Sequence, residues 1–116
     1  MAYVWEMKME KIDKIVRVVE LYRLYKNLLP TSQQEILYNY YFLDLSLSEI
    51  AEDRGVSRSA VEDALNKGNK KLEELEEKMH LAEKNRKISE KIQDLQEKSL
   101  NMTEIDSLED IKKELY

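Results

Sequence analysis

Only two glycines and one proline interrupt this 116-residue chain, and that scarcity narrows the possible folds more than any other feature. Hairpins and Gly-rich phosphate loops need residues that tolerate positive φ or tight turns, and here they are nearly absent. What remains is rich in Leu, Glu, Lys and Ile, all compatible with helix. The expected class is therefore all-α. At this length it should form a compact helical bundle, with residues 1–79 as the bundle and residues 80–116 as a long C-terminal helical extension, either a coiled coil or a helical hairpin.

Periodicity and punctuation place the elements. Ile12, Ile15, Val16, Val19, Tyr22, Leu24 and Tyr25 recur at helical spacing and predict a helix from Lys8 to Leu29, stopped by Pro30. Thr31, with Gln34 completing a capping box, predicts a second helix over Ser32 to Phe42 with Ile36, Leu37, Tyr40 and Tyr41 inward. Ser46 and Glu49 form another box and open a short helix to Arg54. Gly55 then offers a left-handed turn. Ser57 or Ser59 caps the fourth helix, and Ser59 to Glu62 spells a further box.

That fourth helix carries Val61, Leu65, Gly68, Leu72, Leu75 and Met79 in alternating steps of four and three, a heptad seam with Gly68 as its weak point. The seam breaks at His80 to Arg86 and resumes in a new frame at Ile88, Ile92, Leu95, Ser99 and Met102. Such a shift means a stutter in one rod or a tight connection between antiparallel helices. Leu65, Leu72, Leu75, Met79, Ile88, Ile92 and Leu95 are the expected dimer seam. A break at Leu100 to Asp106 and a last helix from Ser107 to Tyr116, with Asp110 in its cap, complete the chain.

Within this order, Leu45 to Gly68 (LSLSEIAEDRGVSRSAVEDALNKG) has helix-turn-helix spacing. Counting from Leu47 as the first position, the fifth is Ala51, where two helices cross closely. The ninth is Gly55, where the chain turns. Ile50, Val56, Val61 and Ala64 fall where the motif buries its inner face. Arg54 stands where an apolar residue is commoner.

YNYYFLDLSLSEIAEDRGVSRSAVEDALNKGNKKLEELEEKMHL, with the preceding LYKNLLPTSQQEILYNYY, resembles the YlxM-like helix-turn-helix proteins of bacteria over roughly Leu21 to Leu95. The motif alone also resembles region 4 of bacterial sigma factors. The YlxM resemblance implies a small all-helical cytoplasmic protein and a homodimer. It further implies a regulatory or accessory role in the signal recognition particle pathway, with that particle's RNA or proteins as partners.

Carried onto this chain, the motif gives Ser57, Arg58, Ser59, Asn66, Lys67, Lys70 and Lys71 as the residues for DNA or RNA. Ala60, Glu62 and Asp63 stand where the sigma-type pattern carries Arg and Gln. A carboxylate can accept from a cytosine amino group, but two adjacent ones repel phosphates, which argues against promoter-style duplex reading. The alternative is a protein-interaction adaptor that keeps the motif as scaffold and offers Glu62 and Asp63 to a basic partner. A net charge of −5 agrees with that reading and argues against a non-specific nucleic-acid coat.

Lys84, Arg86, Lys87 and Lys91 form a second basic cluster, read as a solvated face paired with Glu at helical offsets. Tyr38, Tyr40, Tyr41 and Phe42 read as packing, with stacking on unpaired RNA bases as the other option. No cysteine is present. The lone His80 has no metal-ligand spacing around it, and neither a phosphate loop nor a nucleophile elbow occurs. No enzyme activity, metal or cofactor is expected. The N-terminal MAYVWEMKMEKIDKIVRVVELY has no continuous apolar run, so no signal peptide or membrane insertion is expected either.

Overall fold

The computed structural model describes residues 2–100 and 112–113, with side chains from residue 9 onward. Among them there are only helices: α1 (Ala2–Tyr25), a 3₁₀ turn (Lys26–Leu28), α2 (Thr31–Tyr41), α3 (Leu47–Arg54), α4 (Arg58–Met79) and α5 (Leu81–Ser99). The expected all-α class is what the chain adopts. The described residues fall into two units divided after His80.

In the first unit α4 is the central element, packed against α1, α2 and α3. Its stripe Val61, Leu65, Gly68, Leu72 and Leu75 is buried. Leu21 and Tyr25 of α1, Leu37 of α2 and Ile50 of α3 meet that stripe with at most 1% exposure. Leu65, Leu72 and Leu75 are therefore spent on this chain's own core, a correction to the dimer seam expected from the heptads. The spacing establishes that a helix has one apolar stripe; it does not say which chain covers it. Met79 is 42% exposed, so it too leaves the buried stripe.

Gly68 is not a weak point of this stripe. A Cβ built there would lie 2.9 Å from Leu37 Cδ1 and 3.3 Å from Leu37 Cγ. The missing side chain is the space that Leu37 fills, and it lets α2 approach α4 closely.

The caps follow local chemistry, with one open choice resolved and one correction. Ser46 accepts from the Glu49 backbone N–H at 3.1 Å, and the Glu49 carboxylate accepts from the Ser46 N–H at 3.4 Å, so the predicted box forms. Gly55 closes α3 in the left-handed region at φ 66°. Ser57, not Ser59, caps α4, its Oγ accepting from the Ala60 N–H at 3.1 Å. At α2 the cap position is Pro30 and Thr31 is already helical. The Pro30 carbonyl accepts from the Gln34 N–H, and the Gln34 amide donates back to the Leu29 carbonyl at 2.8 Å. Pro30 holds the preceding Leu29 extended (ψ 150°), which ends the 3₁₀ turn and takes the role expected of Thr31.

α1 also departs from expectation. It ends at Tyr25, before the 3₁₀ turn, and its inward side starts late. Leu21, Tyr22 and Tyr25 are buried, whereas Ile12, Ile15 and Val16 are 53%, 47% and 59% exposed. After α4, His80 adopts a left-handed conformation at φ 57° and the helix stops. α4 and α5 are thus separate helices. α5 forms the described part of the second unit, with Ala82 and Ser99 buried, Ile92 half-buried, and Ile88 and Leu95 over half exposed. The expected break over residues 101–106 and the cap of the last helix lie outside the described residues.

Candidate nucleic-acid interface

Two caps and one small residue position the recognition segment. Ala51 is 6% exposed where α3 crosses α4, and Ile50 and Val61 are fully buried behind it. Ala64 is half-buried. Val56 is 47% exposed instead of inward. Its N–H is drawn onto the Ala51 carbonyl at 3.0 Å in the turn that closes α3, and that turn aims its side chain outward. Arg54, the departure from the motif, has a partner: its guanidinium donates to Glu35 of α2 at 2.9 Å. A polar clasp between α3 and α2 stands where other such motifs use an apolar contact.

All the expected nucleic-acid residues are exposed: Ser57, Arg58, Ser59, Asn66, Lys67, Lys70 and Lys71. Ser57 is committed through its oxygen to capping but keeps a hydroxyl proton to donate. Arg58 is the first residue of α4, whose first turn has no acidic residue. A cation at the positive end of a helix opposes the macrodipole, by about 0.3–1 kcal/mol at exposed sites. An anion bound there would meet both the guanidinium and the unpaired N–H groups.

The carboxylates on this face are not equivalent. Asp63 pairs with Lys67 at 2.9 Å, one turn away. Its charge is offset locally, and so is that of Lys67. Glu62 is exposed and makes no ion pair among the described residues. Toward the C-terminal end, Glu73 does not pair with the neighbouring lysines. It takes Arg17 of α1 in a two-pronged contact, both N–O distances 3.1 Å. That hydrogen bond leads the effects that raise the Arg17 pKa, with the charges of Glu73, Glu76 and Glu20 adding and partial burial opposing. Lys70 and Lys71 are left free of Glu73.

Sequence reasoning missed the inner side of this region. Tyr25 donates to Glu76 Oε1 at 2.7 Å with both residues buried. Asn69 donates to the Tyr41 hydroxyl at 3.1 Å while its buried Oδ1 has no hydrogen-bond partner among the described residues. It borders a cavity of about 400 Å³ walled by Val18, Leu21, Tyr41 and Leu72. These pairs span 28 to 56 residues, so no local pattern announces them. The aromatic run divides. Phe42 packs with Tyr22 at 5.3 Å and stacks with Tyr38 at 5.2 Å, but Tyr38 and Tyr40 are 44% and 36% exposed. In the second unit Lys84, Arg86, Lys87 and Lys91 are exposed, and Lys87 pairs with Glu83 at 3.1 Å.

Among the described residues no cluster of His, Asp or Glu could hold a metal ion, and no helix is long and apolar enough to cross a membrane.

Residues 12–113 match a family described as "Putative helix-turn-helix protein, YlxM / p13 like". A UPF0122 protein of Halalkalibacterium halodurans is 43% identical over 86 residues, 74% of this chain and 79% of the relative. One of Mycoplasma capricolum is 39% identical over 79 residues, 68% of this chain and 70% of the relative. One of Fusobacterium nucleatum is 35% identical over 86 residues, 74% and 84% of the two chains.

Proposed function

Since this chain belongs to the UPF0122 family of YlxM- and p13-like helix-turn-helix proteins, we propose that it is a nucleic-acid-binding regulatory or accessory protein. The observation that carries the reading is the set of exposed cations on α4. Arg58 stands at the helix N-terminus, and Lys67, Lys70 and Lys71 lie about two and a half to three and a half turns on, with Asp63 offset by Lys67. Lys67, Lys70 and Lys71 share one exposed side of α4 and suit a phosphate backbone, while Arg58, nine residues before Lys67, serves from the end of the helix. The YlxM resemblance makes signal recognition particle RNA the first target to try, in the cytoplasm, and that particle's proteins possible further partners. No catalytic step, metal or cofactor enters the proposal.

The test is titration of the protein into labelled signal recognition particle RNA and a length-matched duplex DNA at two salt concentrations. With at most four cations offered by α4, the log–log salt slope on duplex should be no steeper than about −3.6, at −0.9 per phosphate. Arg58→Ala together with Lys71→Ala should abolish binding. Unchanged binding in that variant would refute the assigned surface.

A second reading has its own observation, Glu62, exposed beside Asp63 and without an ion pair among the described residues. In that reading the motif is scaffold for a basic protein partner. Failure to bind either nucleic acid, with Glu62→Lys losing a protein partner, would favour it.

A further inference from the structure

A second cleft in the first unit takes no part in the α4 surface. It lies between α1, the end of α2 and the start of α3, has a volume of about 610 Å³, and is lined by no residue of α4. That size is within the ordinary range of small-ligand sites. Lys11 and Lys14 of α1 stand three residues apart, on one side of their helix. Tyr40, Tyr41 and Asp44 line the same cleft from α2 and the turn after it. Asp44 is costly where it stands. Its φ is 55°, the left-handed region where glycine is the usual residue after a helix. Its charge also sits just past the C-terminus of α2, the negative end of the helix dipole. A residue held against its local preferences points to a use for its side chain. The described residues supply none: Asp44, Lys11 and Lys14 make no ion pair among them. The cleft therefore offers two cations and a carboxylate that do not neutralise one another.

Its aromatic wall is set in advance. The Tyr41 hydroxyl accepts from the Asn69 amide at 3.1 Å. Tyr40 meets the Tyr41 ring edge-on, with centroids 4.9 Å apart and planes at 87°, and keeps 36% of its surface exposed. Ile15 and Leu45 add apolar surface beside the rings. Rings already in place lose little freedom when a flat ligand arrives.

We propose that this cleft binds an unpaired nucleotide whose base carries an amino group. Lys11 and Lys14 take the phosphate, Tyr40 takes the flat base, and Asp44 accepts from the exocyclic amino group. Cytosine, adenine and guanine carry that group. Uracil carries a carbonyl in the place of the cytosine amino group, and a carboxylate repels it. A base in a duplex is stacked and paired, so the ligand is a free nucleotide or a nucleotide of a single strand. The proposal uses none of the α4 cations, so it stands or falls separately from the reading of that surface.

Calorimetric titration of the full chain with cytidine monophosphate, uridine monophosphate and inorganic phosphate tests it. Cytidine monophosphate should bind roughly tenfold more tightly than uridine monophosphate, the factor that one hydrogen bond to a carboxylate carries. Asp44→Asn should erase that preference while keeping the turn, because asparagine tolerates the left-handed conformation. Tyr40→Ala should weaken cytidine monophosphate by about tenfold through lost stacking, and Lys11→Ala with Lys14→Ala should weaken it and remove its salt dependence. All four positions are exposed, so the fold should survive each change. Arg58→Ala with Lys71→Ala should leave cytidine monophosphate binding unchanged. A short single strand of cytidines identifies the source: tighter binding than the mononucleotide points to a strand, and equal binding to the free nucleotide, both in support of the cleft. No binding of either at millimolar concentration overturns the proposal. So does binding matched by inorganic phosphate alone, binding indifferent to Asp44→Asn and Tyr40→Ala, or binding lost with Arg58→Ala and Lys71→Ala.

Discussion

Replacing Gly68 with Ala sets two effects of known sign against each other. Mid-helix, the change should favour folding by about 1 kcal/mol through helix propensity. At this site the new Cβ meets Leu37 Cδ1 at 2.9 Å and Cγ at 3.3 Å. Leu37 is fully buried in the α2–α4 contact and cannot swing into solvent. Overpacking of this kind costs about 1–3 kcal/mol. The expected net effect is a loss of about 1 kcal/mol, or roughly 4–8 °C in Tm for a unit of this size. Urea unfolding followed by far-ultraviolet circular dichroism reads it. A cycle with Leu37→Ala isolates the cause. Without the Leu37 branch the clash disappears, and Gly68→Ala should then stabilise by up to about 1 kcal/mol. The same destabilisation in both backgrounds would refute the close-approach argument. α4 also carries Arg58 and the lysines, so a shift at Gly68 should weaken nucleic-acid binding without touching a contact residue.

Three further outcomes follow from the same structure. Ser57→Ala removes the only observed side-chain cap of α4 and should cost about 1 kcal/mol by denaturant unfolding, whereas Ser59→Ala should cost far less. Ala51→Leu should cost about 1–3 kcal/mol by overpacking the α3–α4 crossing, again read by denaturant. Burial chiefly, with Tyr38 adding, raises the Tyr22 hydroxyl above the usual tyrosine pKa of 10. The folded state holds that proton more tightly, so the contribution is complete below pH 10 and is lost as pH climbs through the raised value. Tyr22→Phe should therefore flatten the alkaline fall in stability, and an unchanged slope would contradict the assignment.

Local chemistry was legible along the chain. The Ser46–Glu49 box and the left-handed Gly55 form where the sequence places them, because each depends on atoms within a few residues. Where neighbours competed for a cap, the tertiary structure chose between them. Pro30 displaced Thr31 because a proline with its φ already fixed and its carbonyl free occupies the cap position first. Ser57 prevailed over Ser59, and the helix began two residues earlier than the alternative box required.

The sequence by itself determined that the chain is helical, where its helices break, and that Ala51 and Gly55 support a helix-turn-helix. Hydrophobic spacing and turn residues act over one or two turns, and that information is complete in the chain's order. Which surface each apolar stripe meets was decided only in three dimensions. The apolar stripe of α4 is filled by Leu37, Ile50 and Leu21, whereas among the described residues Ile12, Ile15 and Val16 of α1, also at helical spacing, are exposed. Likewise Arg17 finds Glu73 and Tyr25 finds Glu76 across more than fifty residues. Periodicity specifies that a face must be covered. The occupant depends on chain segments brought together by folding, and no local pattern encodes that juxtaposition.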